Sequence, residues 1–138
     1  MSKRIDDVLT GRAFWIAARL LLTVVFALSG VAKLADFDGG MAEMTRAGLS
    51  PAWLYNIAVA VTLLAGTVAI WFDRYLWQGA ALLGGFLIAT IFVVHHFWSL
   101  PEPAAANSFF FALEHISIVG GLACAAVASA CRRRMLQP

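Results

Sequence analysis

The sequence is poor in charge and in cysteine, and each shortage excludes a class of protein. Only 13% of its 138 residues are charged, about half the share found in a soluble globular domain. The two cysteines, Cys124 and Cys131, form no C-x-x-C motif. Seven helical residues hold them ~10 Å apart, too far for a disulfide between them. The chain is therefore neither a soluble domain nor a dithiol oxidoreductase.

What the chain has in abundance is apolar sequence, at 62% hydrophobic residues. Four runs, 13–35, 52–72, 76–98 and 108–131, each match the ~20 residues that cross a bilayer core. The first run follows a charged leader, residues 1–12, and is too long for a signal peptide, so we expect it to be a span. The predicted fold class is all-α, a single four-helix transmembrane bundle.

Basic residues predict the orientation of this bundle. They precede span one, separate spans two and three, and follow span four in a basic tail, residues 132–138. Both termini are therefore expected in the cytoplasm, and the connections 36–51 and 99–107 outside. The first of these connections contains FDGGMAEMTRAGL, which predicts a short amphipathic helix at the interface.

Helical spacing places the polar residues of each span on one face together with small residues, which let helices approach closely. The predicted inward faces are Arg19, Thr23, Phe26, Gly30 and Lys33 in span one; Tyr55, Val59, Thr62, Gly66, Ala69 and Asp73 in span two; Gln78, Ala81, Gly85, Ala89, Phe92 and His96 in span three; and Glu114, Ser117, Gly121, Ala125 and Ala128 in span four.

Span four carries an ionisable pair, Glu114 and His115, which costs free energy inside a membrane unless it is satisfied. Depth along the helices predicts one polar cluster in the external half, in which Lys33 and Glu114 form an ion pair or a hydrogen-bonded cluster and His96 and His115 lie beside them. The full predicted cluster is Glu114, His115, His96, Lys33, Ser117 and His95. On the cytoplasmic side, Arg19 is expected to pair with Asp73.

Three interpretations of this cluster are open. It could bind a quinone-type ligand or handle protons, because a buried Glu–His pair supplies hydrogen-bond donors and a proton route. It could instead only hold the helices in register. A metal or haem is the third, but the two adjacent pairs, His95–His96 and Glu114–His115, diverge by ~100° on a helix and lack the usual i, i+3 spacing. We predict no metal site and no catalytic residues, and the scattered basic residues predict no nucleic-acid partner.

Several stretches resemble the DoxX family of small four-span membrane proteins. RLLLTVVFALSGVAKL, from Arg19 to Leu34, is similar to that family's first helix, HFW at 96–98 to the end of its third, and 109–122 to its fourth. Two positions depart from the family pattern. Thr62 stands where members often have Glu, and Glu114-His115 where they often have Lys-Asn, so the acid counter-charge for span one is expected to have moved to span four.

The resemblance implies a function in general terms. Some members resemble the small membrane subunit of thiosulfate:quinone oxidoreductase, and others associate with membrane complexes that handle oxidative stress. We expect a multi-pass protein of a bacterial inner membrane, an accessory factor for a redox partner protein, with quinone as the expected ligand and no enzyme activity of its own. A structural membrane anchor and a small-solute transporter are the alternatives.

Overall fold

The computed structural model describes residues 3–135, which form six α-helices and no strand. The helices are α1 (Lys3–Thr10), α2 (Arg12–Ala35), α3 (Phe37–Arg46), α4 (Ala52–Trp71), α5 (Leu76–Val93) and α6 (Ala104–Met135). Four segments, containing α2, α4, α5 and α6, are long and apolar enough to cross a membrane. The all-α, four-span prediction is confirmed. Residues 1–2 of the leader and 136–138 of the tail lie outside the described residues.

The four long helices pack in chain order, α2 on α4, α4 on α5 and α5 on α6. Their shared core is leucine-rich and includes Phe26, Leu63, Ile70, Leu83, Leu87 and Leu122. At the α4–α5 crossing, a Cβ added to Gly79 would lie 2.7 Å from the Gly66 carbonyl oxygen, so the two backbones meet almost directly. Packing of this kind, rather than hydrophobic burial, drives helix association in lipid.

The predicted inward face is confirmed for α2, is met in part by α4 and α6, and is wrong for α5. In α2 the buried residues are Arg19, Thr23, Phe26 and Gly30, as predicted. In α5 the predicted face is wrong, because Gln78, Ala81, Gly85, Ala89 and Phe92 are all exposed. The buried face of α5 instead combines large and small residues: Leu76, Gly79, Ala80, Leu83, Gly84, Leu87 and Ile91. The apolar residues surround α5 on all sides, so its sequence gives no direction to the core.

The two ends of the bundle differ in the segment that connects its long helices there. Between α4 and α5, Asp73–Tyr75 form one 3₁₀ turn, and the end containing Asp73 is called the Asp73 end below. At the opposite end, α3 folds back over α4, burying Gly40 and Met44, and this is called the α3 end. Asp36 begins α3 by accepting a hydrogen bond from the Gly39 amide at 3.0 Å, a regular N-cap.

Candidate functional site

At the Asp73 end, one carboxylate connects three helices. Asp73 lies just after α4, and its side chain accepts hydrogen bonds from α2 and from α6. Trp15 of α2 donates its indole N–H to Asp73 Oδ2 at 3.0 Å, and Ser129 of α6 donates to Oδ1 at 2.7 Å. Arg133 donates to the Asp73 carbonyl at 2.9 Å and to Ser129 Oγ at 2.7 Å. Together with Arg19, these residues form what we call the Asp73 cluster.

The structure brings the two residues of the expected cytoplasmic pair, Arg19 and Asp73, to a separation of 4.0 Å. The shorter contacts of Arg19 are hydrogen bonds to the carbonyls of Trp71, at 2.9 Å, and Ile70, at 3.3 Å. These two carbonyls belong to the last turn of α4, so no amide of that helix donates a hydrogen bond to them. Arg19 therefore caps α4 first and neutralises Asp73 second.

The α3 end holds a cleft of about 870 Å³, within the range of small-molecule sites. Its floor is core side chains, among them Phe26, Leu63 and Leu87. Its upper walls carry polar groups: Ser29, Lys33, Asp36, Glu43, Arg46, Tyr55, Thr90, His95 and His115. An apolar cleft with a few convergent polar groups at one end is the usual form of a ligand site.

Helix α3 closes the cleft on the side away from the Asp73 end. Lys33 forms an ion pair with Glu43 of α3, and Asn56 of α4 donates to the Lys33 carbonyl at 3.0 Å. Gly40 lies so close to Asn56 that an added Cβ would fall 2.3 Å from Asn56 Oδ1. These contacts fix α3 against the ends of α2 and α4.

Two histidines meet at the wall formed by α5 and α6. The ring of His95 stacks on Phe111, with centroids 5.1 Å apart, and meets the ring of His115 edge-on at 5.0 Å. His115 Nδ1 is buried without a hydrogen-bond partner among the described residues. Both rings line the cleft. Because Nδ1 itself is covered, a ligand in the cleft would meet the other atoms of the two rings.

The predicted polar cluster is brought together only in part. Lys33, His95 and His115 line the cleft, whereas Glu114 and Ser117 are exposed on α6. The expected Lys33–Glu114 ion pair is wrong: Lys33 pairs with Glu43, and no ion pair of Glu114 occurs within residues 3–135. The physical reason is that α3 folds back and brings an acid closer to Lys33 than α6 does.

His96, which was expected beside this cluster, does not line the cleft, and of the two adjacent histidines it is His95 that meets His115. Helix α5 ends at Val93, short of the predicted end at residue 98. His96 then forms a tight turn with φ −75° and ψ 62°, closed by a bond from the Phe97 amide to the His95 carbonyl, an inverse γ-turn. The turn leaves His95 facing His115, while His96 Nδ1 contacts Ser99 Oγ at 2.7 Å.

Several site residues were missed by reasoning from the sequence. In the Asp73 cluster these are Trp15, Ser129 and Arg133, and at the cleft Glu43 and Asn56. Asn56 could have been identified from the sequence, since an amide inside an apolar span must find a hydrogen-bond partner. Glu43 had none, because its partner depends on α3 folding back onto the bundle. Across residues 3–135, no three His, Cys, Asp or Glu side chains converge as metal ligands.

Comparison with known proteins places the chain in a family. The profile of the DoxX family matches residues 14–96, which is more than half of the chain and includes α4, α5 and most of α2. No curated protein and no solved structure gives a significant match. On the family match and the four apolar helices, the chain is a membrane protein that belongs to the DoxX family.

Proposed function

We propose that this protein binds a quinone-type ligand in the cleft at the α3 end and serves as an accessory subunit of a membrane redox complex. The observation that supports the proposal most directly is the pair of histidine rings, His95 and His115, that meet at the wall of a cleft of about 870 Å³. The redox association follows what the DoxX resemblance implies. With the orientation that the basic residues predict, the cleft lies in the external half of the membrane.

The residues at the cleft suit the chemistry of a quinone. A quinone has two carbonyl oxygens on opposite sides of a ring, and each accepts a hydrogen bond. His115 and His95 offer ring nitrogens on one wall, and Lys33 and Tyr55 offer donors on the other walls. Between them, the Phe26 and Leu87 side chains provide an apolar floor for the ring. When bound, a quinone would supply two-electron redox chemistry, with the partner complex as the source of electrons.

The same geometry disfavours a solute channel. The cleft ends on the leucine-rich core, and beyond that core the Asp73 cluster ties α2 and α6 to the connection that follows α4. A path for a solute would have to break both. The remaining alternative, a purely structural anchor, makes a different prediction for the wall formed by His95 and His115. A structural role needs the rings to pack there and does not need their nitrogens to form hydrogen bonds.

The decisive variant is His115→Phe, which keeps an aromatic ring against His95 and removes the ring nitrogens. The matched control is Ser117→Ala on the same helix, since Ser117 is exposed and bonds only to the Leu113 carbonyl of its own helix. Each protein is purified in mild detergent from its native membrane. Bound quinones are extracted and identified, and binding of a short-chain ubiquinone analogue is titrated.

We expect the wild type and Ser117→Ala to retain quinone and to bind the analogue equally well. His115→Phe should bind it roughly tenfold more weakly, the effect of one lost hydrogen bond of about 1.4 kcal/mol. If the wild type retains no quinone and does not bind the analogue, the proposal is wrong. If His115→Phe binds normally but unfolds more readily, the histidine wall is structural.

A further inference from the structure

The helices α2 and α6 are the first and last in the row of four, and they pack directly against each other midway along their length. There the Leu22 side chain lies against Gly121, so that an added Cβ on Gly121 would be 3.4 Å from Leu22 Cδ1. Towards the Asp73 end, a groove of about 320 Å³ separates them before the Asp73 cluster rejoins them. Towards the α3 end they separate without rejoining, and the large cleft opens between them.

Helix periodicity shows which residues flank this gap. The two helices run antiparallel, because the start of α2 and the end of α6 both reach Asp73. One heptad beyond Leu22 on α2 is Ser29, and one heptad beyond Gly121 on α6 is Glu114. Residues seven apart share a face and lie ~10 Å apart along the axis. Ser29 and Glu114 therefore stand on facing sides of the gap, at the same level.

The position of Glu114 is costly for a carboxyl group. It lies about 15 Å along α6 from Ala104 by helical rise, inside the apolar segment, and its side chain is exposed. It has neither an ion pair nor a side-chain hydrogen bond among residues 3–135. An ionisable group that faces lipid without a partner marks a functional position more often than a structural one.

The other approach to the cleft is covered. On the side towards the aqueous interface, α3 lies across the opening, with Gly39, Gly40 and Met44 among the residues that line the cleft. Its Gly40 packs directly against Asn56, and its Glu43 pairs with Lys33. On the side of the gap, by contrast, lining residues remain in contact with the bilayer region: Val25 is 48% exposed. The gap is thus a lateral approach to the cleft, from the membrane.

We propose that the gap between α2 and α6 is a lateral portal through which a tailed amphiphile passes from the bilayer into the cleft, head group first. The inference rests on the proposed quinone-type site and adds the route to it. Ser29 and Glu114 are the polar edges of the portal, and they lower the cost of moving a polar head group through apolar surroundings. The isoprenoid tail stays in the gap, against Val25, and continues into lipid.

The test blocks the portal after the protein has folded. Cys124 and Cys131 are replaced by serine, and a single cysteine is introduced as Glu114→Cys, at the edge of the portal that is exposed and does not line the cleft. A bulky methanethiosulfonate reagent then labels it, and a reductant removes the label again. The matched control is Leu28→Cys, since Leu28 is 66% exposed to the membrane region and does not line the cleft. Both proteins are placed in lipid nanodiscs and given two probes, a tailless benzoquinone and a ubiquinone with a long isoprenoid tail.

We expect the label at position 114 to slow association of the long-tailed quinone by roughly tenfold or more, and reduction of the label to restore it. The tailless quinone, which needs no space for a tail in the gap, should bind as before, and the control label should change neither rate. If the label slows both quinones equally, position 114 belongs to the binding site and the portal is wrong, although the site stands. If both quinones bind normally to labelled protein, the route lies elsewhere. If neither binds to unlabelled protein, the proposed function fails first.

Discussion

The two ends of the bundle use polar side chains in opposite ways. At the Asp73 end, one carboxylate and its backbone carbonyl accept bonds from α2 and from α6, and Arg19 caps α4 beside them. At the α3 end, polar groups bond in pairs, Lys33 with Glu43 and His96 with Ser99, and His115 Nδ1 bonds to nothing described. A connected network rigidifies a bundle, whereas isolated pairs around a cleft leave donors for a ligand.

The largest expected effect on stability comes from breaking the connected end. Asp73→Ala removes the acceptor of Trp15 and Ser129 and leaves the buried Arg19 without a nearby anion. We expect a loss of about 2 kcal/mol in the free energy of unfolding, because charged hydrogen bonds are lost and the Asp73 side chain is only 35% exposed. Unfolding in mixed micelles of increasing SDS content measures it.

The control for this change lies at the other end. Asp38 is exposed in the first turn of α3, so Asp38→Ala should remove only a favourable helix-dipole interaction, less than ~1 kcal/mol. Equal losses for the two aspartates would show that the Asp73 cluster contributes no more than a surface acid, and the contrast between the ends would disappear.

A smaller loss of stability is expected at the crossing of α4 and α5. Gly79→Ala places a methyl group 2.7 Å from the Gly66 carbonyl oxygen, which forces α4 and α5 apart and should cost about 1 kcal/mol, the low end of the range for overpacking. Gly85→Ala, on the same helix, meets nothing within 4 Å. It should be neutral or stabilising by up to ~1 kcal/mol through helix propensity. The same micelle titration compares them, and a Gly79→Ala protein as stable as Gly85→Ala would contradict the described packing.

The smallest effect is expected from the isolated pair at the α3 end. Glu43 is 54% exposed at its side chain, so the Lys33–Glu43 pair should contribute less than ~1 kcal/mol. A double-mutant cycle with Glu43→Gln and Lys33→Met isolates this coupling, and added salt should reduce it further. A coupling as large as the Asp73→Ala loss would mean that α3 is held as firmly as the opposite end.

The extent to which the sequence predicted this structure differs between helices. In α2 the buried face was predictable because Arg19 and Thr23 mark it in an otherwise apolar helix. In α5 the small residues did not define one face, since Gly79, Ala80 and Gly84 are buried whereas Ala81, Gly85 and Ala89 are exposed. Lipid is as apolar as a leucine core. The sequence of a helix that is apolar on nearly every side therefore does not indicate which side faces the core.

The candidate site was predictable in its region and not in its contacts. The interest in His95, His115 and Lys33 came from ionisable residues in apolar sequence, and all three line one cleft. Their partners depend on two local features that helical periodicity cannot supply, the end of α5 at Val93 and the fold-back of α3. Glu114 was expected inside the bundle because of its charge, and its exposure beside the gap is what suggests a route from the membrane.

The close approach of Gly40 to Asn56 has a consequence for how this protein can change over evolution. Asn56 is fully buried and there is no room for a side chain at position 40 while it is present. A residue larger than glycine at 40 becomes acceptable only if position 56 becomes smaller, and that change would also remove the bond to the Lys33 carbonyl. Positions 40 and 56 should therefore vary together among relatives of this chain, as a pair in contact does.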